Sequence, residues 1–250
     1  MIYSLKALLI CIVTPPSALL ILLLAPFDRN GRLAYAVGRL WASMILKIAG
    51  VRVQVRGLDR LDPARPYIFI ANHQSNVDIP ALIKSLPGFQ LRWIAKKQLA
   101  YIPFFGWALW ASRHILVDRS NRAGAMASLR QSKERLAAGI SVVIFPEGTR
   151  GADAELLPFK RGGFLLAVQT KTPIVPVTIN GSRSILPRAD WRLRAGEIEV
   201  VVDEPIAADA KDASALAARV RQIIESNARG GAPDENAGGA EAAAESLELG

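Results

Sequence analysis

The chain has 250 residues, 51% of them hydrophobic, with a formal net charge of +9 and a mean hydropathy of +0.22, so it is long enough for one sizeable core and unusually apolar for a soluble domain. From Gly230 on there are five acidic residues and no basic one, which leaves the first 229 residues with 31 basic against 17 acidic side chains, a charge of +14. A body this basic calls for an anionic partner, and nucleic acid is the weaker candidate because aromatic-rich RNA motifs and zinc-finger spacings are absent. The single cysteine, Cys11, excludes an internal disulfide and a Cys/His metal site, and it fits a reducing compartment.

Ala7 to Phe27 carries no charge and is long enough to cross a bilayer as a helix, although Thr14-Pro15-Pro16 interrupts it. A signal peptide is the competing reading of a basic start before an apolar run. The length of the run and the lack of a small-x-small cleavage site count against it. Asp28-Arg29-Asn30-Gly31 reads as a turn, and Leu33 to Ala49 as a second, largely apolar helix with Tyr35 and Trp41 as interface residues. Residues 1–50 are therefore expected to form a membrane-anchoring helical hairpin.

The body is expected over residues 51–227. Val51 to Val55 alternates apolar and polar, as a half-buried strand does, while Tyr67 to Ala71 is a continuous apolar run, as a fully buried strand is. Similar runs occur at Leu91 to Ala95, Ile115 to Val117, Ser141 to Phe145, Ile174 to Ile179 and Ile198 to Val202. Arg122 to Ala138, closed by Gly139, reads as a helix, as do Phe164 to Thr170 and Ala213 to Asn227. Strands alternating with helices predict an α/β fold, a mainly parallel sheet flanked by helices, with ligands at the carboxyl ends of the strands. Residues 228–250 are small, polar and acidic, the composition of a disordered tail.

Four motifs fall at strand ends. Asn72-His73-Gln74-Ser75-Asn76-Val77-Asp78 places a histidine, a base suited to neutral pH, five residues before a carboxylate that can orient it. Phe145-Pro146-Glu147-Gly148-Thr149-Arg150 offers a tight turn whose amides can approach a phosphate. In it Arg150 can hold two phosphate oxygens and Glu147 can accept a bond from a substrate hydroxyl. His114-Ile115-Leu116-Val117-Asp118-Arg119 delivers an Asp-Arg pair, and Leu157-Pro158-Phe159-Lys160-Arg161-Gly162-Gly163 puts cations beside a glycine turn before a helix. Taken singly, each has a bland reading: a capped loop histidine, a surface Glu–Arg pair, a solvated charge pair. Together they supply what base-assisted attack of a hydroxyl on an acyl group needs, with a phosphate held nearby.

These strings, in this order and followed by Val175-Pro176-Val177, resemble the glycerolipid acyltransferase family, and within it the bacterial enzymes that acylate 1-acyl-glycerol-3-phosphate. Lys97-Gln98-Leu99 and Ile102-Pro103-Phe104-Phe105-Gly106 add to the match, which covers roughly Lys47 to Asn180. The resemblance implies that His73, oriented by Asp78, takes the proton from the sn-2 hydroxyl of a lysophospholipid acceptor. That hydroxyl then attacks the thioester of acyl-CoA or acyl carrier protein directly, giving phosphatidic acid. It implies that Arg119 and Arg150 hold the acceptor phosphate, with Gly148 and Thr149 beside it, Glu147 near the glycerol hydroxyl, and Lys97 and Lys160 as supporting cations. No cofactor or metal is implied, since the acyl donor is a co-substrate. The implied location is the inner membrane of a bacterium, with the catalytic domain on the cytoplasmic face where the donors are made. Two departures stand out. Arg113-His114 replaces residues that are commonly small in the family, a change expected to alter acceptor or acyl-chain preference. Gly151 stands where serine is frequent, a change expected to be harmless.

Three alternatives compete. One keeps the fold and changes the acceptor to another lysolipid, such as lyso-ornithine lipid. The second is a serine hydrolase using Ser75, although Ser75 lacks the flanking glycines of a nucleophile elbow. The third is a non-enzymic protein whose basic body only meets acidic lipid.

Overall fold

The alternating segment from Val51 and each of the six apolar runs form strands. They are β1 (Val51–Arg56), β2 (Ile68–Ala71), β3 (Leu91–Lys96), β4 (Ile115–Val117), β5 (Ser141–Ile144), β6 (Ile174–Asn180) and β7 (Gly196–Val202). In the computed structural model, which describes residues 1–118, 122–151, 155–208 and 212–228, they join one sheet in the order β1-β7-β6-β2-β5-β3-β4. Every pairing is parallel except β6 with β7. The five strands from β6 to β4 therefore run the same way, and their carboxyl ends line one edge. The acidic tail beyond residue 228 lies outside the described residues.

Eight α-helices accompany the sheet among the described residues: α1 (Ile2–Leu24), α2 (Arg32–Ala49), α3 (Asp78–Ser85), α4 (Phe105–Ala111), α5 (Arg122–Ala137), α6 (Gly162–Thr170), α7 (Ser182–Ile185) and α8 (Ala213–Asn227). Burial of apolar side chains sorts them into layers. Tyr35 and Leu46 of α2 and Leu82 of α3 pack with Phe69, Val143 and Val175 on one face of the sheet. Phe164 of α6 and Val220 and Ile224 of α8 pack with Ile68, Ile70 and Ile144 on the other. The central strands read as unbroken apolar runs because both of their faces are covered.

The hairpin is part of this packing. One turn of 3-10 helix, Ala25–Phe27, links α1 to α2. The buried Asp28 then caps α2, its two oxygens accepting the amides of Arg32 and Ala34 at 2.8 Å each. At the other end of α1, Lys6 Nζ donates to the carbonyls of Ala49 (2.7 Å) and Leu193 (3.2 Å), and Trp41 Nε1 donates to Thr14 Oγ1 at 3.1 Å. Pro15 and Pro16 do not end α1, which is helical throughout. The hydroxyls of Thr14 and Ser17 donate to the carbonyls of Ile10 (2.7 Å) and Val13 (2.8 Å), on either side of the two carbonyls that the prolines leave without a donor. Ile2–Phe27 is long and apolar enough to cross a membrane, with a mean hydropathy of 2.5. Its outer face is bare: Leu5, Leu8, Ile12, Leu19, Leu23 and Phe27 are exposed, while Ala18 and Ile21 are buried against Ala34, Ala108 and Ala111.

Gly31 is the tightest point of the hairpin. It has φ +66°, and a Cβ there would collide with the Arg92 guanidinium. Gly31→Ala therefore meets both backbone strain and a clash, a cost of about 2 kcal/mol or more. Thermal unfolding should show a melting temperature lower by roughly 5 °C.

Candidate active site

The His-x4-Asp motif leaves the carboxyl end of β2 and turns straight into α3. Asp78 is the first residue of α3 and is fully buried. Its Oδ2 accepts three bonds: from His73 Nδ1 at 2.8 Å, the Gln74 amide at 2.9 Å and the Ser75 amide at 2.8 Å. The turn that the five-residue offset requires is thus made by wrapping the backbone around one carboxylate oxygen. A carboxylate accepting at Nδ1 places the proton there and leaves the lone pair on Nε2. The ring itself lies flat on Phe145, with centroids 4.0 Å apart and planes 13° apart, and keeps 14% of its side chain accessible. Nε2 is thus the basic atom presented at the strand-end edge.

The Phe-Pro-Glu-Gly-Thr-Arg segment leaves the end of β5, which is the direct neighbour of β2. It brackets His73 along the backbone. Glu147 Oε1 accepts the His73 amide at 2.8 Å, and the Gly151 amide donates to the His73 carbonyl at 3.0 Å. Gly148 takes the left-handed turn between them at φ +74°. Thr149 and Arg150 are half-buried beside His73, and the Arg150 carbonyl accepts from Arg188 Nη1 at 3.2 Å.

Glu147 departs from the role expected of it. It is buried at 4% exposure, and its second oxygen accepts the Leu157 amide at 3.0 Å. Both oxygens thus hold backbone rather than face a substrate hydroxyl. Burial pushes its carboxyl above the usual range, and the two amides only partly offset this. Through Glu147 the loop before α6 is tied to His73, and the Lys160 amide adds a bond to the Pro146 carbonyl at 2.9 Å. The Lys160 side chain is exposed. Lys97, just past β3, stands 3.9 Å from Asp118 at the end of β4, and both are on the same strand-end edge. Arg119 falls outside the described residues. Ser75 is fully buried and donates its hydroxyl to the Leu186 carbonyl at 2.7 Å, which removes it as a nucleophile. Arg113 and His114 lie before β4, at the opposite end of the strands from His73.

Two contributors carry no sequence signal beyond their place in the motifs. Phe145 supplies the surface under the histidine ring. Asn72 locks β2 to β6 by exchanging bonds with the Ile179 backbone at 2.9 and 2.7 Å.

A histidine at a strand end, bonded to a buried acid and flanked by a glycine turn and an arginine, has the parts of a general-base site. The acyltransferase family pattern matches residues 52–180, the stretch that holds all of these elements. A solved structure from Thermotoga maritima, the 1-acyl-sn-glycerophosphate (LPA) acyltransferase PlsC, superposes with a TM-score of 0.75 at 25% identity, covering 90% of this chain and 92% of that one. The human 1-acyl-sn-glycerol-3-phosphate acyltransferase alpha is 35% identical over 190 residues, covering 74% of this chain and 67% of its own. The 1-acyl-sn-glycerol-3-phosphate acyltransferase of Pseudomonas aeruginosa is 36% identical over 181 residues, with shares of 71% and 67%. The chain thus spans about two thirds of the length of these curated relatives. It is an acyltransferase, and it belongs to the family of the 1-acyl-sn-glycerol-3-phosphate acyltransferases.

Glu147→Gln separates positioning from substrate contact. One of its two backbone donors would then face an NH2 group, at a cost of about 1–3 kcal/mol. The expected result is a lower melting temperature and a fall in kcat with KM for the acceptor little changed, since His73 is displaced and the acceptor contacts stay. A rise in KM with kcat preserved would instead return Glu147 to the substrate.

Proposed function

We propose that the protein transfers a fatty acyl group from acyl-CoA or acyl carrier protein to the sn-2 hydroxyl of 1-acyl-glycerol-3-phosphate, giving phosphatidic acid. The observation that carries this reading is the 2.8 Å bond between His73 Nδ1 and the buried Asp78, at a strand end that also carries Arg150. His73 Nε2 takes the hydroxyl proton as the oxygen attacks the thioester carbonyl. The tetrahedral intermediate collapses with cleavage of the C–S bond, and the imidazolium returns its proton to the departing thiolate. Asp78 stabilises the imidazolium between these steps. Arg150, Gly148 and Thr149, together with Arg119, receive the acceptor phosphate. Lys97 and Lys160 add positive potential at the rim.

We also propose that the enzyme works on the cytoplasmic face of the inner membrane. Lys6 ties one end of α1 to the body and the contacts of Ala18 and Ile21 tie the other. This arrangement favours a helix lying along the membrane surface, its exposed leucines in the lipid, over one that crosses it.

The test is an assay of purified protein in detergent on lysophosphatidic acid with each donor in turn. Phosphatidic acid is expected from at least one donor, and no product from either would overturn the reading. Product only when the acceptor is a lyso-ornithine lipid would transfer the same chemistry to that acceptor. Ser75→Ala should keep most of the transfer activity, having lost one structural hydrogen bond worth about 1 kcal/mol.

A further inference from the structure

The end of the sheet away from His73 gathers positive charge that the acyl-transfer chemistry does not use. Arg92 on β3 and Arg113, in the turn two residues before β4, lie close enough for their charges to repel. Arg135 on α5 is close enough to repel both. Beside them, His114 Nδ1 accepts the Trp93 amide at 3.3 Å, a role open only to the unprotonated nitrogen. Burial, with Arg92 and Arg135 nearby, pushes that imidazole down to about 3.

Arg92 is 0% exposed. Its Nη atoms donate to the carbonyls of Leu91 (2.8 Å), Asn30 (2.9 Å) and Gly31 (2.9 Å), and its Cζ lies 5.8 Å from the centre of the Tyr35 ring. Its Nε has no acceptor, and neither has the buried Nε of Arg113 or of Arg135. Asp28, an acid near Arg92, is engaged in capping α2. Among the described residues none of the three guanidiniums makes an ion pair. Folding has therefore placed three like charges together, with Asp28 and Glu134 offsetting only part of their repulsion, a costly arrangement that a bound anion relieves.

We propose that Arg113 and Arg135, backed by the buried Arg92, form a second anion site that takes a phosphate group. Arg113 and Arg135 are half-buried, so they meet the ligand from solvent, while Arg92 supplies charge from beneath. A tetrahedral phosphate offers separate oxygens to the two half-buried guanidiniums, and the charge of Arg92 beneath adds to the attraction. The site adjoins the Asn30-Gly31 turn of the hairpin. Soluble phosphate and a phosphomonoester lipid headgroup both have the chemistry it recognises.

The test is thermal unfolding of the full-length protein in zwitterionic detergent. It is titrated with inorganic phosphate against chloride at constant ionic strength, and separately with phosphatidic acid or phosphatidylcholine in the micelles. The double variant Arg113→Asn/Arg135→Gln suits the fold, because asparagine tolerates the φ of 58° at position 113 and glutamine keeps α5 helical. Arg150→Ala serves as the control for phosphate bound at the acyl-transfer site. At a hundredfold excess over Kd, the ligand should raise the melting temperature of wild type and Arg150→Ala by roughly 5 °C. The double variant should lose that rise, and in chloride it should melt no lower than wild type because a repulsion has gone. A rise with inorganic phosphate identifies the soluble ion as ligand, and a rise with phosphatidic acid alone identifies the headgroup. The proposal is overturned by no rise with either ligand, by a rise that survives in the double variant, or by a double variant that melts lower in chloride.

Discussion

The buried carboxylate of Asp78 is the interaction around which the active site forms. A charge with no solvent access is expensive unless donors replace its water. Here three N–H groups converge on Oδ2, at the first turn of α3 where the helix dipole also favours negative charge. Two of those donors are backbone amides, so the carboxylate dictates the path of the chain between His73 and α3 as well as the orientation of the ring. The same contact that orients the histidine ring therefore also shapes the loop that displays it.

A second carboxylate performs the analogous task between strands. Glu147 bonds one oxygen to the His73 amide and the other to the Leu157 amide, so the ends of β2 and β5 and the loop before α6 are tied together. The parallel pairing of β2 with β5 makes this possible by bringing both strand ends to one edge. Preorganisation of this kind holds the backbone of His73 in one place.

The central strands are legible in the sequence because a sheet covered on both faces requires continuous apolar runs, and the edge strand β1 is legible from its apolar–polar alternation. The order β1-β7-β6-β2-β5-β3-β4 is not legible, since it depends on which faces the helices cover. Helix α4 escapes a sequence reading because Phe105–Ala111 is short, apolar and lacks a polar face to set a period of 3.6. The His73–Asp78 pair can be located from spacing and strand-end position. The role of Glu147 cannot, because a carboxylate's partners depend on where Leu157 returns in space. Arg92 is the sharpest case. It sits inside an apolar run that reads as a strand, and its burial is made tolerable by carbonyls of a turn some 60 residues earlier in the chain.

The hairpin and the catalytic body share one structure, with α2 in the main core and α1 resting on α2 and α4. This places the apolar outer face of α1 on the same body as His73, an arrangement suited to an acyltransferase whose acceptor is a lipid. Under the proposed function His73 is the base. The most direct measurement is acyl transfer to lysophosphatidic acid by His73→Ala, read beside its flotation with phospholipid vesicles. Transfer should fall by about 10²–10⁴-fold while flotation matches wild type. A His73→Ala protein that still transfers acyl groups at the wild-type rate would contradict the account.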